Sequence, residues 1–257
     1  MRIKHYINVP GLSLPAIRSI GWERPLVWLA AGWLDVKANP LPSLAYGVLF
    51  ALGGDLIILA ALNHPHLLSV AVSGFFLVAP LLAAGLYELS RQTASGRRIL
   101  FIDSLRCYRR NGQSLFMFGL LIALIVVFWE RFSAVAFSLL GPSSEVNAGV
   151  FLNRLILSGE HLPFITTWLA LGGLLALFVF ALSVVSVPMM LDRNCDFLTA
   201  MVSSLDAFLH NSGPLLLWAA LIVLLTLAGF ATLLFGLVVL MPILGHASWH
   251  AYRELVE

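Results

Sequence analysis

Long apolar runs dominate the chain, separated by short stretches where polar and apolar residues alternate with helical periodicity. A membrane-crossing helix needs about 20 mostly apolar residues to traverse about 30 Å of hydrocarbon. On that measure the pattern predicts spans at about 43–62, 68–90, 114–137, 163–190, 213–230 and 233–252. The last two run together without an Asp, Glu, Lys or Arg. From Gly213 to Tyr252 is 40 residues, which as one helix would measure about 60 Å. That is twice the hydrocarbon thickness, so a hairpin is expected near Gly229.

The periodic stretches predict amphipathic helices near 97–111 and 196–211. In the first, Phe101, Leu105 and Tyr108 share one face and Asp103, Arg106 and Arg110 the other; in the second, Met201, Leu205 and Phe208 oppose Ser203, Asp206 and His210. The two stretches match at an offset of one hundred residues. Ser104-Leu105 reappears as Ser204-Leu205, Tyr108 as Phe208, Arg110 as His210 and Asn111 as Asn211. Asparagine suits a helix end because it tolerates left-handed backbone. A softer third copy precedes the first span, where Leu29, Trp33 and Val36 share a face and Asn39-Pro40 closes the segment. Each return span also carries a proline, Pro80, Pro188 or Pro242. Proline removes a backbone hydrogen bond and kinks the helix. The unit is therefore amphipathic helix, outward span and proline-bearing return span, three times over. The expected fold is all-α: a polytopic transmembrane bundle of about six spans, with cytoplasmic amphipathic helices and a threefold internal repeat. Residues 1–41 form a cytoplasmic segment with an interfacial helix. Residues 42–257 form the helix-bundle domain, with its longest outer loop near 138–162.

Composition supports the membrane reading. Hydrophobic residues make up 60% of the 257 and charged ones only 11%, against roughly 25% in soluble domains. The net charge of +2 is too small to argue for a nucleic-acid partner. Placement of the charges is more informative, because cytoplasmic loops collect Lys and Arg. Of the 15 Lys and Arg residues, all but Arg131 and Arg154 fall on one side of a six-span arrangement, which puts both termini in the cytoplasm. With charges scattered through residues 1–41, no cleavable signal peptide is expected, and the first span serves as the insertion signal. Cys107 and Cys195 lie in segments placed in the reducing cytoplasm and are expected to be plain thiols.

Gly85 to Arg91, Pro188 to Arg193 and the closing string Gly245 to Arg253, together with Trp33 to Gly54, resemble a family of predicted bacterial integral membrane proteins classed as a domain of unknown function. The resemblance runs over about residues 25–255. It implies a bacterial inner-membrane location and brings no activity, cofactor or catalytic residue.

Three features carry candidate chemistry. Asp55, after Gly53-Gly54, is an ionisable residue deep in the first span, where a carboxylate costs a few kcal/mol unless paired, protonated or wet. It serves either an ion or proton path or an interhelical hydrogen bond. His246 and His250 are four apart and share a helix face; they suit a metal or haem, or an interfacial belt beside Trp249 and Tyr252. No acidic or thiol side chain obviously completes a site with them. Arg97, Arg98, Arg106, Arg109 and Arg110 suit anionic headgroups at the inner leaflet, with Phe101, Leu105 and Tyr108 inserted. Glu88, Arg91, Asp192 and Arg193 cluster at the ends of return helices and either pair or are solvated. No phosphate-binding loop, paired-carboxylate constellation or Ser-His-Asp order stands out. The leading expectation is a non-enzymatic accessory, assembly or scaffold component of a membrane complex, without a cofactor and with lipids and other membrane subunits as partners. A small-solute or ion transporter using Asp55, and a redox component using His246 and His250, are the alternatives.

Overall fold

A computed structural model describes residues 12–62, 79–140 and 162–256. Most of the outer loop expected near 138–162, the expected turn with His64 and His66, and Arg2, Lys4 and Arg154 lie outside the described residues. The helices are α1 (Arg24–Ala38), α2 (Pro40–Leu62), α3 (Ala84–Ala94), α4 (Phe101–Ser104), α5 (Cys107–Arg110), α6 (Gly112–Leu140), α7 (Leu162–Ser183), α8 (Ser186–Arg193), α9 (Phe197–His210), α10 (Ser212–Ala231) and α11 (Leu237–Leu255). A helical turn at 79–82 leads into α3 through Ala83. Among the described residues, Gly112–Leu139, Leu162–Arg193 and Ser212–Ala231 are long and apolar enough to cross a membrane.

The hairpin expected near Gly229 turns three residues later, between α10 and α11. Leu233 and Leu234 take positive φ, 52° and 68°, a conformation that costs non-glycine residues about 1 kcal/mol or more. Thr232 holds the turn: its hydroxyl donates to Gly229 O at 2.8 Å and accepts from Gly236 N at 2.7 Å. Gly236 also sits where a Cβ would come within 3.0 Å of Gly229 Cα.

Three asparagines join a short polar helix to a long apolar one, and their backbones agree. Asn39, Asn111 and Asn211 have φ,ψ of −132°,66°, −138°,53° and −127°,35°. None is left-handed, so the expectation about backbone tolerance is corrected; the left-handed asparagine is Asn194, at φ 51°. What these positions use is the side-chain amide. Asn39 Nδ2 donates to Thr93 Oγ1 at 2.6 Å. Asn111 Nδ2 donates to Met190 O at 3.1 Å and Cys195 O at 2.7 Å. Asn211 Nδ2 donates to Arg18 O at 3.0 Å, while its Oδ1 accepts from Ile20 N at 2.9 Å. That N-terminal segment is held to the C-terminal end by a single bridge between Ile17 and Val256.

Each short polar helix packs on a return helix: α4 and α5 on α3, α9 on α7 and α8, and α1 on α11, the most extensive helix contact among the described residues. Breaks in the return helices explain the polarity of these faces. Between α7 and α8, ahead of Pro188, the helix opens at Val184–Val185. The buried Ser204 hydroxyl donates to Ala181 O at 2.7 Å and accepts from Val185 N at 3.1 Å. Such hydroxyls replace backbone bonds that lipid cannot supply. Beyond Pro80, the Tyr108 hydroxyl donates to Leu81 O at 3.0 Å beside the break at Ala83. Pro242 lies inside a continuous α11. On α9 the polar face therefore points inward: Ser203, Ser204 and Asp206 are buried, and Leu209 is exposed.

The helix expected over 97–111 is two short pieces with a turn at Leu105–Arg106. Phe101 packs on Tyr46, ring centroids 4.7 Å apart, and so faces the bundle rather than lipid. The exposed apolar residues there are Leu100, Ile102 and Leu105.

Candidate functional site

The face α1 presents to α11 is one position rotated from the expected one. Trp33 is exposed, whereas Trp28, Gly32, Asp35 and Val36 are buried. Gly32 fixes the contact, because a Cβ there would lie 2.5 Å from Ile243 O and 2.8 Å from Ala247 N. That close approach brings Asp35 against His246 and His250, the residue pair noticed in the sequence, and corrects the expectation that no acidic group completes it. Asp35 stands four residues before Asn39. The residues four before the other two cap asparagines, Cys107 and Ala207, are also buried. A carboxylate therefore occupies a position that the other two polar helices fill with small side chains.

Five side chains from four helices form one continuous chain of hydrogen bonds. The Ser90 hydroxyl of α3 donates to Asp35 Oδ2 at 2.5 Å. Ser90 Oγ lies 2.7 Å from His246 Nδ1, and His246 Nε2 lies 2.9 Å from the Ser43 hydroxyl of α2. His250 Nε2 meets Asp35 Oδ2 at 3.0 Å. Ser43, Ser90 and His246 are 1% exposed or less. Burial pushes the Asp35 carboxyl up, but hydrogen bonds from His250 and Ser90 outweigh it and hold its pKa below the usual value. An ionised carboxylate only accepts. Ser90 must then spend its one proton on Asp35 and accept from His246 Nδ1–H, which leaves Nε2 to accept from Ser43. The proton arrangement follows from the contacts: Ser43 to His246 to Ser90 to Asp35, with His250 donating to Asp35 from the other side. Both nitrogens of His246 are occupied in this arrangement, so a metal bound there would have to displace a serine from one of them. Among the described residues no group of three His, Cys, Asp or Glu has metal-ligand geometry.

The chain is most open at His250, which is about one-third exposed. It opens onto a shallow cavity of about 300 Å³ that Arg24, Trp28, Arg253 and Glu254 also line. Glu254 secures that rim, accepting from Trp28 Nε1 at 2.6 Å and pairing with Arg24 at 2.5 Å.

The other charges noticed in the sequence divide into two clusters. Glu88, buried, takes a bidentate contact from Arg91 at 2.8 Å on both oxygens, one from Gln92 at 2.6 Å and a longer one from Arg110 at 3.4 Å. Arg110 thus reaches Glu88 while remaining exposed, as Arg97, Arg98, Arg106 and Arg109 are. Asp192 pairs with Arg253 at 3.0 Å and accepts from the Tyr252 hydroxyl at 2.8 Å. Arg193 reaches Tyr252, at 3.2 Å, and so joins α8 to α11. Both cysteines are free, and burial pushes the Cys107 thiol up to about 12 and that of Cys195 up to about 11, which leaves neither reactive at neutral pH. Asp55 is separate from all of this. It lies on the outward face of α2, exposed, between exposed Leu52 and Leu56.

Apolar helices exposed along their length, with polar groups paired at one end, define a helical integral membrane protein. Residues 67–192 match the family described as predicted integral membrane protein (DUF2189), a domain of unknown function. The match takes in Gly85 to Arg91 and Pro188 to Asp192; Trp33 to Gly54 and Gly245 to Arg253, on which the resemblance also rested, lie outside it. No curated protein and no solved structure matches the chain.

Proposed function

We propose that this chain is a non-enzymatic component of a larger membrane complex and acts by binding other subunits. The observation that carries the reading is where its polar groups go. Ser43, Ser90, His246 and Asp35 bond to one another, and Glu88 and Asp192 are paired at the same end of the bundle. The relay fastens α1, α2, α3 and α11 together. Asp55, the intramembrane ionisable residue that a transporter would use, faces outward rather than into the bundle. A redox centre at His246 and His250 is a weaker reading, because the serines already occupy both nitrogens of His246.

The arrangement we favour is six spans in three repeated units, in a bacterial inner membrane with both termini cytoplasmic. It is supported by the shared backbone of Asn39, Asn111 and Asn211 and by each polar helix packing on the return helix before it, with α1 closing the circle on α11. The exposed Arg97, Arg98, Arg106 and Arg109, beside exposed Leu100 and Ile102, fit anionic headgroups of the inner leaflet.

Two experiments test this. Purification from native membranes in mild detergent should bring down a stable partner at fixed stoichiometry, and the pure chain in vesicles should carry no proton or ion flux. Flux above that of empty vesicles would return the transporter reading. Changing Arg97, Arg98, Arg106 and Arg109 to Gln cuts the positive count between Arg91 and Gln113 from six to two while leaving Arg91 and Arg110 on Glu88. Reporter fusions after Gln113 should then show mixed or reversed topology. An unchanged cytoplasmic signal would mean that other segments set the orientation.

A further inference from the structure

The outward faces of α2 and α6 carry matching stripes. On α2 the exposed positions include Val48, Leu52, Asp55 and Leu59; on α6 they include Leu124, Phe128, Arg131 and Val135. Both run at intervals of four, three and four residues, the spacing by which side chains of two helices interlock. Each stripe has one charge, at its third position, and the charges are opposite. Asp55 has no hydrogen-bond or ion-pair partner among the described residues. Arg131, its side chain 77% exposed, touches the adjacent Glu130 at 2.6 Å. Both helices start one residue past a cap asparagine. Asp55 is sixteen residues from Asn39 and Arg131 is twenty from Asn111, so their depths differ by about 6 Å. Helical side chains lean toward the N-terminus, and the long arginine thereby spans much of that difference. Over Gly53 nothing lies within 4 Å, which leaves α2 open to a close neighbour.

We propose that a second copy of this chain docks here, the α2 stripe of one copy against the α6 stripe of the next, with Asp55 paired to Arg131. Copies in one membrane share an orientation, so α2 and α6 of neighbouring copies run parallel, with the two charges within about 6 Å of one depth. Two different surfaces meet, a head-to-tail contact that gives a ring where the rotation closes and an open array where it does not. A carboxylate in hydrocarbon is costly alone and is stabilised by a cation, so the pair selects this register over other packings of apolar stripes. The inference deepens the reading of the chain as a binding component and names one partner.

The test is subunit counting by single-molecule photobleaching of the pure, labelled chain in phosphatidylethanolamine–phosphatidylglycerol bilayers. The wild type is expected in multi-copy spots. Asp55→Arg alone and Arg131→Asp alone should each give mostly single copies, and the double variant should restore the assembly. A single-copy wild type overturns the proposal, as does a double variant that stays single while melting like the wild type. Should the charge variants fail to fold, cross-linking decides: Leu52→Cys and Phe128→Cys placed on separate copies should form a disulfide-linked pair only when mixed, and no such pair overturns the proposal. Self-assembly of pure protein with nothing else co-purifying would retain this inference and remove the accessory reading; a foreign partner without self-assembly would do the reverse.

Discussion

Gly47→Leu is expected to leave little folded protein in the membrane. At Gly47 α2 crosses α11 so closely that a Cβ would lie 1.9 Å from Val238 O and 2.6 Å from its carbonyl carbon. Those are backbone atoms inside a helix and have no rotamer to escape into. The two helices must separate, and the separation spreads to Ser43 one turn away, whose hydroxyl meets His246 at 2.9 Å. Overpacking of ordinary side chains costs about 1–3 kcal/mol; a clash with helix backbone belongs at or above the top of that range. Alanine at the same position should already destabilise strongly. Gly53→Ala, on the same helix, is the control, since nothing lies within 4 Å of that position. Thermal melting in detergent should show a large loss for both Gly47 variants and almost none for Gly53→Ala. Equal behaviour of the two alanine variants would mean that α2 does not approach α11 at Gly47.

Asp35→Leu should destabilise by about 2–3 kcal/mol, the cost of stranding buried hydrogen-bonding groups, and Asp35→Asn by much less. Both donors that reach the carboxylate, Ser90 Oγ and His250 Nε2, use the same oxygen, Oδ2, and an amide oxygen accepts from both. With leucine, Ser90 turns its proton to His246 Nδ1, the tautomer reverses, and the Ser43 hydroxyl loses its acceptor. The defect is therefore expected to reach α2, two bonds beyond Ser90. Acid titration gives an independent readout. The folded carboxyl has a pKa below its unfolded value, so its contribution is fully present above the ordinary aspartate value of about 3.9. It is lost as pH falls through the folded value beneath that. The gap in stability between wild type and Asp35→Asn should hold from neutral pH down to about 4 and shrink below it. A leucine variant as stable as the asparagine variant would show that the relay contributes no packing energy.

How much of this was legible in the sequence depends on which physical signal each feature left. The apolar runs announced the membrane class, and the hairpin near Gly229 was forced by length alone, since 40 uncharged residues overrun the bilayer. The three asparagines were visible as a spacing. Their role was not, because a cap conformation and an amide bonded to a distant carbonyl produce the same letter. His246 and His250 were visible as a pair through helical periodicity, a local property. Asp35, Ser90 and Ser43 were not, since they belong to other helices, and the distances in sequence that separate them from His246 carry no periodic trace. Gly32 offered the nearest hint, a small residue one turn before Asp35, which is what a helix needs to lie close against a neighbour.

The faces of the polar helices show the same division. Periodicity sorted α9 into an apolar and a polar side but left open which of them meets the bundle. The structure turns the polar side inward, because the return helix beside it breaks ahead of Pro188 and leaves Ala181 O and Val185 N without backbone partners. Local sequence determines which residues share a face, since that follows from 3.6 residues per turn. Which way the face points was decided by tertiary structure, where an unsatisfied backbone group in an apolar surrounding costs more than a methyl group left exposed.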